Sequence, residues 1–341
     1  MSGDTLSDVL RAVRLRGALF YYIEGAAPWV AEAPPAGEIT SAIMSGVEHM
    51  IEFHGIVHGS CWAALVGGAP IRLDEGDVIL FPQGDPHVMS SAPGMRAAQV
   101  DTALYFSPKP PQLPFSLGLT REGVTTARLD GGSDDRVTVV CGFLGCDARP
   151  FNPLLAALPR VLRVSSATLG PDSLVSQFLR SAVTESNYKR PGGEAVLELM
   201  SKAMFVDVLR RYVDSLPPDQ TGWLAGMRDP GVGRALSCVH ERPAEPWTLE
   251  RLAAETAMSR SVLHDRFVHF VGQPPMQYLT HWRMQVAAGL LRDTPSKLVE
   301  VALEVGYESE AAFSRAFKRS VGMSPGAWRK RSSVPVGPTR S

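Results

Sequence analysis

An internal repeat near the C-terminus constrains this chain more than any other feature. Leu249, Leu252, Ala253 and Thr256 are followed by Ser259, Leu263, Phe267, Gly272 and Pro275. Leu298, Val301, Ala302 and Val305 are followed by Ser309, Phe313, Phe317, Gly322 and Pro325, at an offset of 49 residues before the central turn and 50 after it. Self-similarity at a fixed spacing marks a repeated supersecondary unit. Each copy reads as a short helix, a tight turn and a second helix, the plan of a helix-turn-helix. Thr248 is placed to cap the first helix of copy one, and Ser259 and Ser309 to cap the second helices; Ala257 and Gly306 fall in the turns.

The apolar stripe of each second helix dictates which side chains are left outside. Leu263, Phe267, Phe270 and Val271 face inward in the first copy, and Phe313, Ala316 and Phe317 in the second. The candidate DNA-reading residues are therefore Arg260, Ser261, His264 and Asp265, with Ser309, Glu310, Ser314, Arg315, Lys318 and Arg319. Arg315 suits a guanine edge, while Lys318, Arg319 and the run Arg329–Arg331 suit phosphates. The plainer alternative is that these charges only solvate a helix face. Met276 to Leu291 reads as one long helix between the copies, able to hold two readers about 34 Å apart, one turn of duplex.

Net charge at first argues against a nucleic-acid partner, since it is only -1. The average conceals a local field: from Phe313 to Arg331 there are six basic residues and no acidic one. Hydrophobic residues at 45% and charged residues at 20% exclude a disordered chain. Four cysteines in 341 residues make no disulfide framework, and no apolar run reaches membrane-spanning length, so a cytoplasmic setting is expected.

The N-terminal half has a different texture. Asp4 to Arg16 carries a helical stripe through Leu6, Val9, Leu10 and Val13. From Ala18 to about Val140, short apolar runs alternate with Gly, Pro and Asp turns, which predicts an antiparallel barrel or sandwich. Within it, Gly76, Pro82, Gly84 and His87 mark a turn, a buried strand and a return toward the interior. His87 has two readings, a ligand to a metal or effector, or a hydrogen-bonded histidine at the barrel mouth. Cys141 and Cys146 lack the usual zinc spacing; with Cys61 and His87 they could form a closed zinc site, or they are buried small hydrophobes.

Phe151 to Leu162 leaves the strands, and two helical patterns follow, through Leu174–Val183 and Val196–Val213. The second is apolar on more than one face, as in a core helix or a subunit interface. Thr221 to Asp229 reads as an interdomain connector, and a helix from Pro230 to Glu241 opens the last domain.

Two resemblances cover nearly the whole chain. Leu252-Ala253, Ala257-Met258-Ser259, Arg266-Phe267, Gly272-Gln273-Pro274-Pro275, Gly306-Tyr307-Glu308-Ser309, Phe313 to Lys318 and Gly322-Met323-Ser324-Pro325 resemble the DNA-binding domain of AraC/XylS transcription regulators. Gly76, Pro82, Gly84 and His87 resemble the second signature of cupins, while the first signature is degraded to His54 and His58 around Gly55-Ile56-Val57. The resemblance implies an α+β, multidomain protein: a cupin-like sensor domain at 1–165, a helical connector or dimerisation segment at 166–220, a double helix-turn-helix at 230–331 and a disordered tail at 332–341. It implies a transcription regulator rather than an enzyme, with promoter DNA and RNA polymerase as partners and a homodimer as an option. A small effector would bind near His54, Trp62 and His87, and zinc in the N-terminal domain is an open option. The rival is a metal-dependent cupin enzyme with an appended DNA-binding domain; the missing His-x-His pair counts against it. In the family, positions aligned with His264, Asp265, Ser314 and Arg315 face the groove. Asp265 departs from that pattern, because a carboxylate cannot pair with phosphate.

Overall fold

A computed structural model describes residues 4–100, 102–106, 115–121, 123–125 and 136–333. They form two compact units: Leu15–Cys146 with Leu158–Ser215, and Met1–Arg14 with Asp147–Ala157 and Leu216–Ser341. The protein is α+β, with a β-rich N-terminal part and a helical C-terminal part. No helix of the described residues is long and apolar enough to cross a membrane.

Among the described residues the β-rich unit holds eleven strands: β1 Arg16–Ala26, β2 Val30–Ala33, β3 His49–His58, β4 Ser60–Leu65, β5 Ile71–Asp74, β6 Val78–Phe81, β7 His87–Ser90, β8 Phe115–Thr120, β9 Gly123–Thr125, β10 Arg136–Cys146 and β11 Leu162–Val164. A seven-stranded sheet runs β11-β6-β3-β10-β1-β8-β9, and a four-stranded sheet β2-β7-β4-β5. The expectation of a wholly antiparallel array needs correction at one place, because β1 and β8 pair in parallel. A parallel pair requires a long crossover, and the strands between them in the chain supply it.

Strand alternation sorts the large sheet into two faces. Val137, Val139, Cys141 and Phe143 of β10 join a core shared with Cys61, Ala63 and Leu73 of the small sheet. The opposite face meets helices: Phe53 packs edge-on against Phe178 at 5.5 Å. That explains why β3 is buried almost continuously rather than alternately.

The helices are α1 Thr5–Ala12, α2 Ala36–Ile43, α3 Ala103–Phe106, α4 Pro153–Ala157, α5 Leu174–Tyr188, α6 Gly193–Ser215, α7 Trp223–Arg228, α8 Pro230–Glu241, α9 Leu249–Glu255, α10 Arg260–Val271, α11 Pro275–Asp293, α12 Leu298–Glu304, α13 Glu310–Val321 and α14 Pro325–Ser333. The segment expected as a connector, Thr221 to Asp229, is instead occupied by α7. Its Trp223 is buried and donates from Nε1 to the Tyr278 hydroxyl at 2.7 Å. The Tyr278 hydroxyl in turn donates to Nε2 of His240 at 2.7 Å. Of the expected tail, 332–333 end α14, and 334–341 lie outside the described residues.

The helical unit is not built from the C-terminal segment alone. Arg14, which follows α1, and Arg292, near the end of α11, both pair with the buried carboxylate of Asp147, at 3.0 and 2.7 Å. Asp147 also donates its backbone N–H to Val13. Gln285 on α11 spans the same pieces, donating to the Ala12 carbonyl and accepting from the Phe151 N–H. Removing one partner of a buried pair leaves an uncompensated charge, which costs about 3–5 kcal/mol. Asp147→Ala is therefore expected to destabilise the helical unit by about 3 kcal/mol, read as a fall in the denaturant midpoint at unchanged m-value.

His240 adds a pH dependence. Burial holds its imidazole down at about 3, and its Nδ1 has no hydrogen-bond partner among the described residues. The folded state keeps His240 neutral while the unfolded chain takes up a proton below about 6.5. Its contribution is fully present above that pH and is lost as pH falls toward 3, at up to about 1.4 kcal/mol per unit. Denaturant unfolding followed by tryptophan fluorescence between pH 7 and pH 5 should show this slope, and His240→Gln should flatten it.

Candidate DNA interface and sensing cavity

The second helices of the two copies are capped alike. Ser259 accepts from Val262 N–H and Ser309 from Ala312 N–H. Both second helices end at a left-handed glycine, Gly272 and Gly322. The turns differ. Ala257 takes a positive φ of 54° despite its Cβ, whereas Gly306 is needed twice over: its φ is 80°, and a Cβ there would stand 2.6 Å from the Ala244 carbonyl. Arg283 of α11 seals that turn by donating to the carbonyls of Pro243, Glu245 and Gly306.

The outward residues separate into two groups. In the first copy Arg260 pairs with Glu250 at 2.7 Å, and His264 with Asp265 at 3.1 Å. Ser261 is exposed beside the cap hydroxyl of Ser259. In the second copy Glu310 is exposed and Ser314 half-buried, while Arg315, Lys318 and Arg319 are exposed and make no ion pair among the described residues. Ser309 is a structural cap as much as a surface group. The basic run after α13 is not uniform either: Arg329 donates to the carbonyls of Leu291 and Ser296, so it closes the C-terminus of α11 rather than facing a partner. Val262 escaped the sequence reading. It is 52% exposed on the outward face of α10, where an apolar side chain can meet a thymine methyl. Its signal was its place one residue past Ser261, outside the Leu263–Phe267 stripe.

Arg266 of α10 donates Nε to Asp229 at 2.8 Å, and the other Asp229 oxygen caps α8 through the Gly231 and Val232 N–H groups. These bonds hold the Asp229 carboxyl below its usual range despite its burial. One carboxylate thus fixes α10 against α8.

In the β-rich unit a cavity of about 90 Å³ opens on the core between the sheets. Its walls are apolar, with Ile23, Leu117, Leu119 and Val139 among them, and Tyr21, Trp29 and Tyr105 supply aromatic surface. Glu32 of β2, paired with Arg96, lines it too, while the Glu52, His54, His87 and Cys141 side chains converge from three further strands. Glu52 and His54 stand two apart on β3 and so share its inner face. Cys141 lies directly across from His54 in the β3–β10 register, and His87 enters from β7. His54 and His87 are brought together as expected, with their Nε2 atoms 2.7 Å apart.

Two other expectations need correction. Trp62 is not at this cavity: Cys61 and Ala63 take the inner face of β4, so the intervening Trp62 points the other way, into a separate hollow beside Gly67 and Gly68. His58, named with His54 in the degraded first signature, lies exposed beside Glu75, and Glu52 instead stands beside His54 and His87. Cys61, Cys141 and Cys146 are buried free thiols.

The proton arrangement follows from the acceptors. The Asp85 carbonyl can only accept, so His87 donates to it from Nδ1 at 3.0 Å and turns a bare Nε2 to the cavity. His54 then donates from Nε2 to His87, and the Cys141 thiol donates to Nδ1 of His54 at 2.8 Å. Burial acts in the same direction: it holds His54 well below the usual imidazole range and His87 at about 4, and raises the Cys141 thiol. Burial also pushes Glu52 up to about 8. Its contact with His87, 3.9 Å, is therefore not an ion pair at neutral pH. Glu52 Oε1 and the Tyr21 hydroxyl are buried without hydrogen-bond partners among the described residues.

Comparison with known proteins gives the same division of the chain. The family model described as Cupin matches residues 4–214, and that described as Helix-turn-helix domain matches 252–331. An AraC-like transcription regulator of Streptomyces lividans is 33% identical over 97% of this chain and 100% of its own length. A second, from Streptomyces antibioticus, is 32% identical over 96% and 98%. The HTH-type transcriptional regulator AlkR of Acinetobacter baylyi is 27% identical over 96% and 100%. These relatives are transcription regulators, not enzymes.

Asp229→Ala is expected to lose the cap and the tie to α10 together, costing about 1–2 kcal/mol from the cap alone. Asp229→Asn, which can still cap, should lose less. Thermal unfolding of the two variants side by side checks the order.

Proposed function

We propose, for a chain that belongs to the AraC family of transcription regulators and joins a cupin domain to a helix-turn-helix domain, that the cavity at His54 and His87 senses a small molecule and that the second helix-turn-helix dominates promoter recognition. DNA binding by the helix-turn-helix domain is the function of the chain. The observation that carries the finer reading is the contrast between the second helices: Arg260 and Arg266 of the first are ion-paired, whereas Arg315, Lys318 and Arg319 of the second make no ion pair among the described residues.

In this reading the N-terminal half of α13 enters the major groove, with Arg315 on a base edge and Ser314 beside it, while Lys318 and Arg319 meet phosphates. Arg260, Ser261, His264 and Val262 of α10 occupy the neighbouring groove segment more weakly, with Asp265 opposing the backbone. The two sheets are read as the walls of a cupin barrel around the effector. An apolar cavity floored by neutral polar groups suits a small, largely apolar molecule with one hydrogen-bonding group. RNA polymerase is the partner through which bound protein would act, in the cytoplasm. The α5–α6 pair, with Val196 and Leu199 exposed, is the segment offered to a second copy.

Fluorescence anisotropy with duplexes from the protein's own upstream region provides the test. Arg315→Ala should weaken specific binding by about five- to a hundred-fold and relax specificity at one base position. Lys318→Ala should weaken all sequences alike and reduce the salt slope by about one. Binding without salt dependence, or indifference to both substitutions, would overturn the assignment. For the cavity, thermal shifts across a panel of small apolar compounds should reveal a stabilising ligand whose effect is lost in His87→Ala.

A further inference from the structure

We infer that Arg283 is a positioning residue for DNA recognition: it locks the turn of the second helix-turn-helix onto the loop that leads into the first, and so sets the base-pair spacing that the two reading helices accept. Its guanidinium reaches three backbone carbonyls in two distant stretches of chain. Nε donates to Pro243 at 2.7 Å, Nη2 to Glu245 at 2.7 Å and Nη1 to Gly306 at 3.3 Å. Pro243 and Glu245 lie in the loop between α8 and α9, and Gly306 lies in the turn between α12 and α13. The side chain itself comes from α11, the helix that joins the two copies.

Three observations make this a lock between the copies. The first is that the backbones it joins already touch: a Cβ at Gly306 would stand 2.6 Å from the Ala244 carbonyl oxygen, so the loop lies directly on the turn. The turn of the first copy stays open, with Ala257 exposed where Gly306 is half-buried. The second is that the loop is bound in its turn to the first copy. Glu245 pairs through its carboxylate with Arg251 of α9 at 2.7 Å, and Arg251 stands over the Trp247 ring at 5.0 Å. Trp247 is buried and donates Nε1 to the Arg242 carbonyl at 2.9 Å. A shift of the Gly306 turn is therefore passed to α9. The third is the kind of bond used. Arg283 makes no ion pair among the described residues, and its guanidinium faces the Tyr307 ring at 5.8 Å. The planar fork of donors is what matters, because the single nitrogen of a lysine cannot span three separate carbonyls.

The long helix by itself is a single rod between two loads. Its N-terminal half holds the first copy, where Tyr278 meets Phe267 of α10 at 5.6 Å. Its C-terminal half holds the second, where Met284, Ala287, Ala288 and Leu291 pack with Phe313 and Phe317. Long helices bend, and a load at each end of a rod can also turn about its axis. The Arg283 contacts add a second tie away from that axis and close a ring through α9, the loop, the turn and α11. A closed ring removes both freedoms. Two linked readers gain from each other only where their separation matches the sites, and the gain vanishes where geometry forbids both to engage. Each inserted base pair moves the far site by about 3.4 Å along the duplex and about 34° around it. The consequence for DNA rests on the reading that α10 and α13 enter successive groove segments.

The test uses the full-length protein and the duplex that it enriches from a randomised pool, together with the same duplex carrying one, two or five extra base pairs between the two segments it protects. Fluorescence anisotropy at fixed salt gives the affinity for each. The unmodified chain should lose about ten-fold or more on a two-base-pair insertion. Arg283→Met should bind the original duplex about three- to ten-fold more weakly, yet lose no more than about two-fold further on the insertion. Arg283→Lys should behave as Arg283→Met does, because charge alone does not restore the lock. Gly306→Ala forces the turn and the loop apart from the other side and should flatten the spacing profile in the same way. The turn of the first copy carries an alanine at positive φ, so this variant folds even if Arg283→Met does not. Combining the two should flatten the profile no further, since both break one contact. Arg315→Ala, by contrast, should weaken binding at every spacing and leave the profile steep. A steep profile in the folded Arg283 or Gly306 variants, or a flat one in the unmodified chain, would overturn this inference alone. Absence of any salt-dependent duplex binding would overturn the reading of the two helices and this inference with it.

Discussion

The helical unit depends on one buried carboxylate. Asp147 is 1% exposed and answers two guanidinium groups drawn from opposite ends of the sequence, Arg14 and Arg292. A lone carboxylate at that depth would pay heavily for desolvation; two arginines and the surrounding hydrogen bonds offset that cost, and the pairing specifies which pieces must meet. Three separate stretches of chain therefore make a single unit: α1 with Arg14, the segment from Asp147 through α4, and everything from Leu216 onward. Arg14 itself adopts a left-handed backbone, φ 51°, a conformation that costs a non-glycine residue energy and persists where surrounding contacts fix it. Its side chain engages both Asp147 and Asp293.

The same economy of buried charge distinguishes the two halves of the repeat. In the first copy, polar groups are consumed locally: Glu250 takes Arg260, Asp229 takes Arg266, and Asp265 takes His264. The two exposed pairs, Arg260–Glu250 and His264–Asp265, add little to stability. They do lower the local positive potential, which is the quantity a phosphate backbone senses. The second copy keeps Arg315, Lys318 and Arg319 without an ion pair among the described residues, on a helix whose serine cap and phenylalanine inner face match those of the first. Equivalent scaffolds thus carry different electrostatics, and the difference resides in residues that do nothing for the fold.

How much was legible in the sequence varied with the range of the interaction. The repeat, its caps and its inward stripes are local and periodic, and α9 to α13 followed from them. What escaped were juxtapositions between distant segments. Glu52 was passed over because its neighbours suggested a degraded His-x-His, although its two-residue offset from His54 already set both on one strand face. Trp62, expected at the pocket, is sent by alternation to the other side of β4. Trp223 sat in a stretch with glycine and aspartate around it and looked like a linker, but its indole finds Tyr278, fifty-five positions on. The parallel β1–β8 pair had no local signal at all, since it depends on a crossover whose length alone does not dictate direction. Nothing between Arg14 and Arg292 in the sequence announced that they would share Asp147.

The cavity floor presents the opposite electrostatic solution to that of Asp147. There the charge is retained and paired; here the charges are extinguished, with Glu52 protonated up to about pH 8 and both imidazoles neutral. A neutral floor beneath apolar walls discriminates by charge before it discriminates by shape. An anionic ligand would bring a negative charge onto a floor whose donors are already committed to Asp85, His87 and His54. A neutral ligand can exchange into the hydrogen-bond chain without creating a charge.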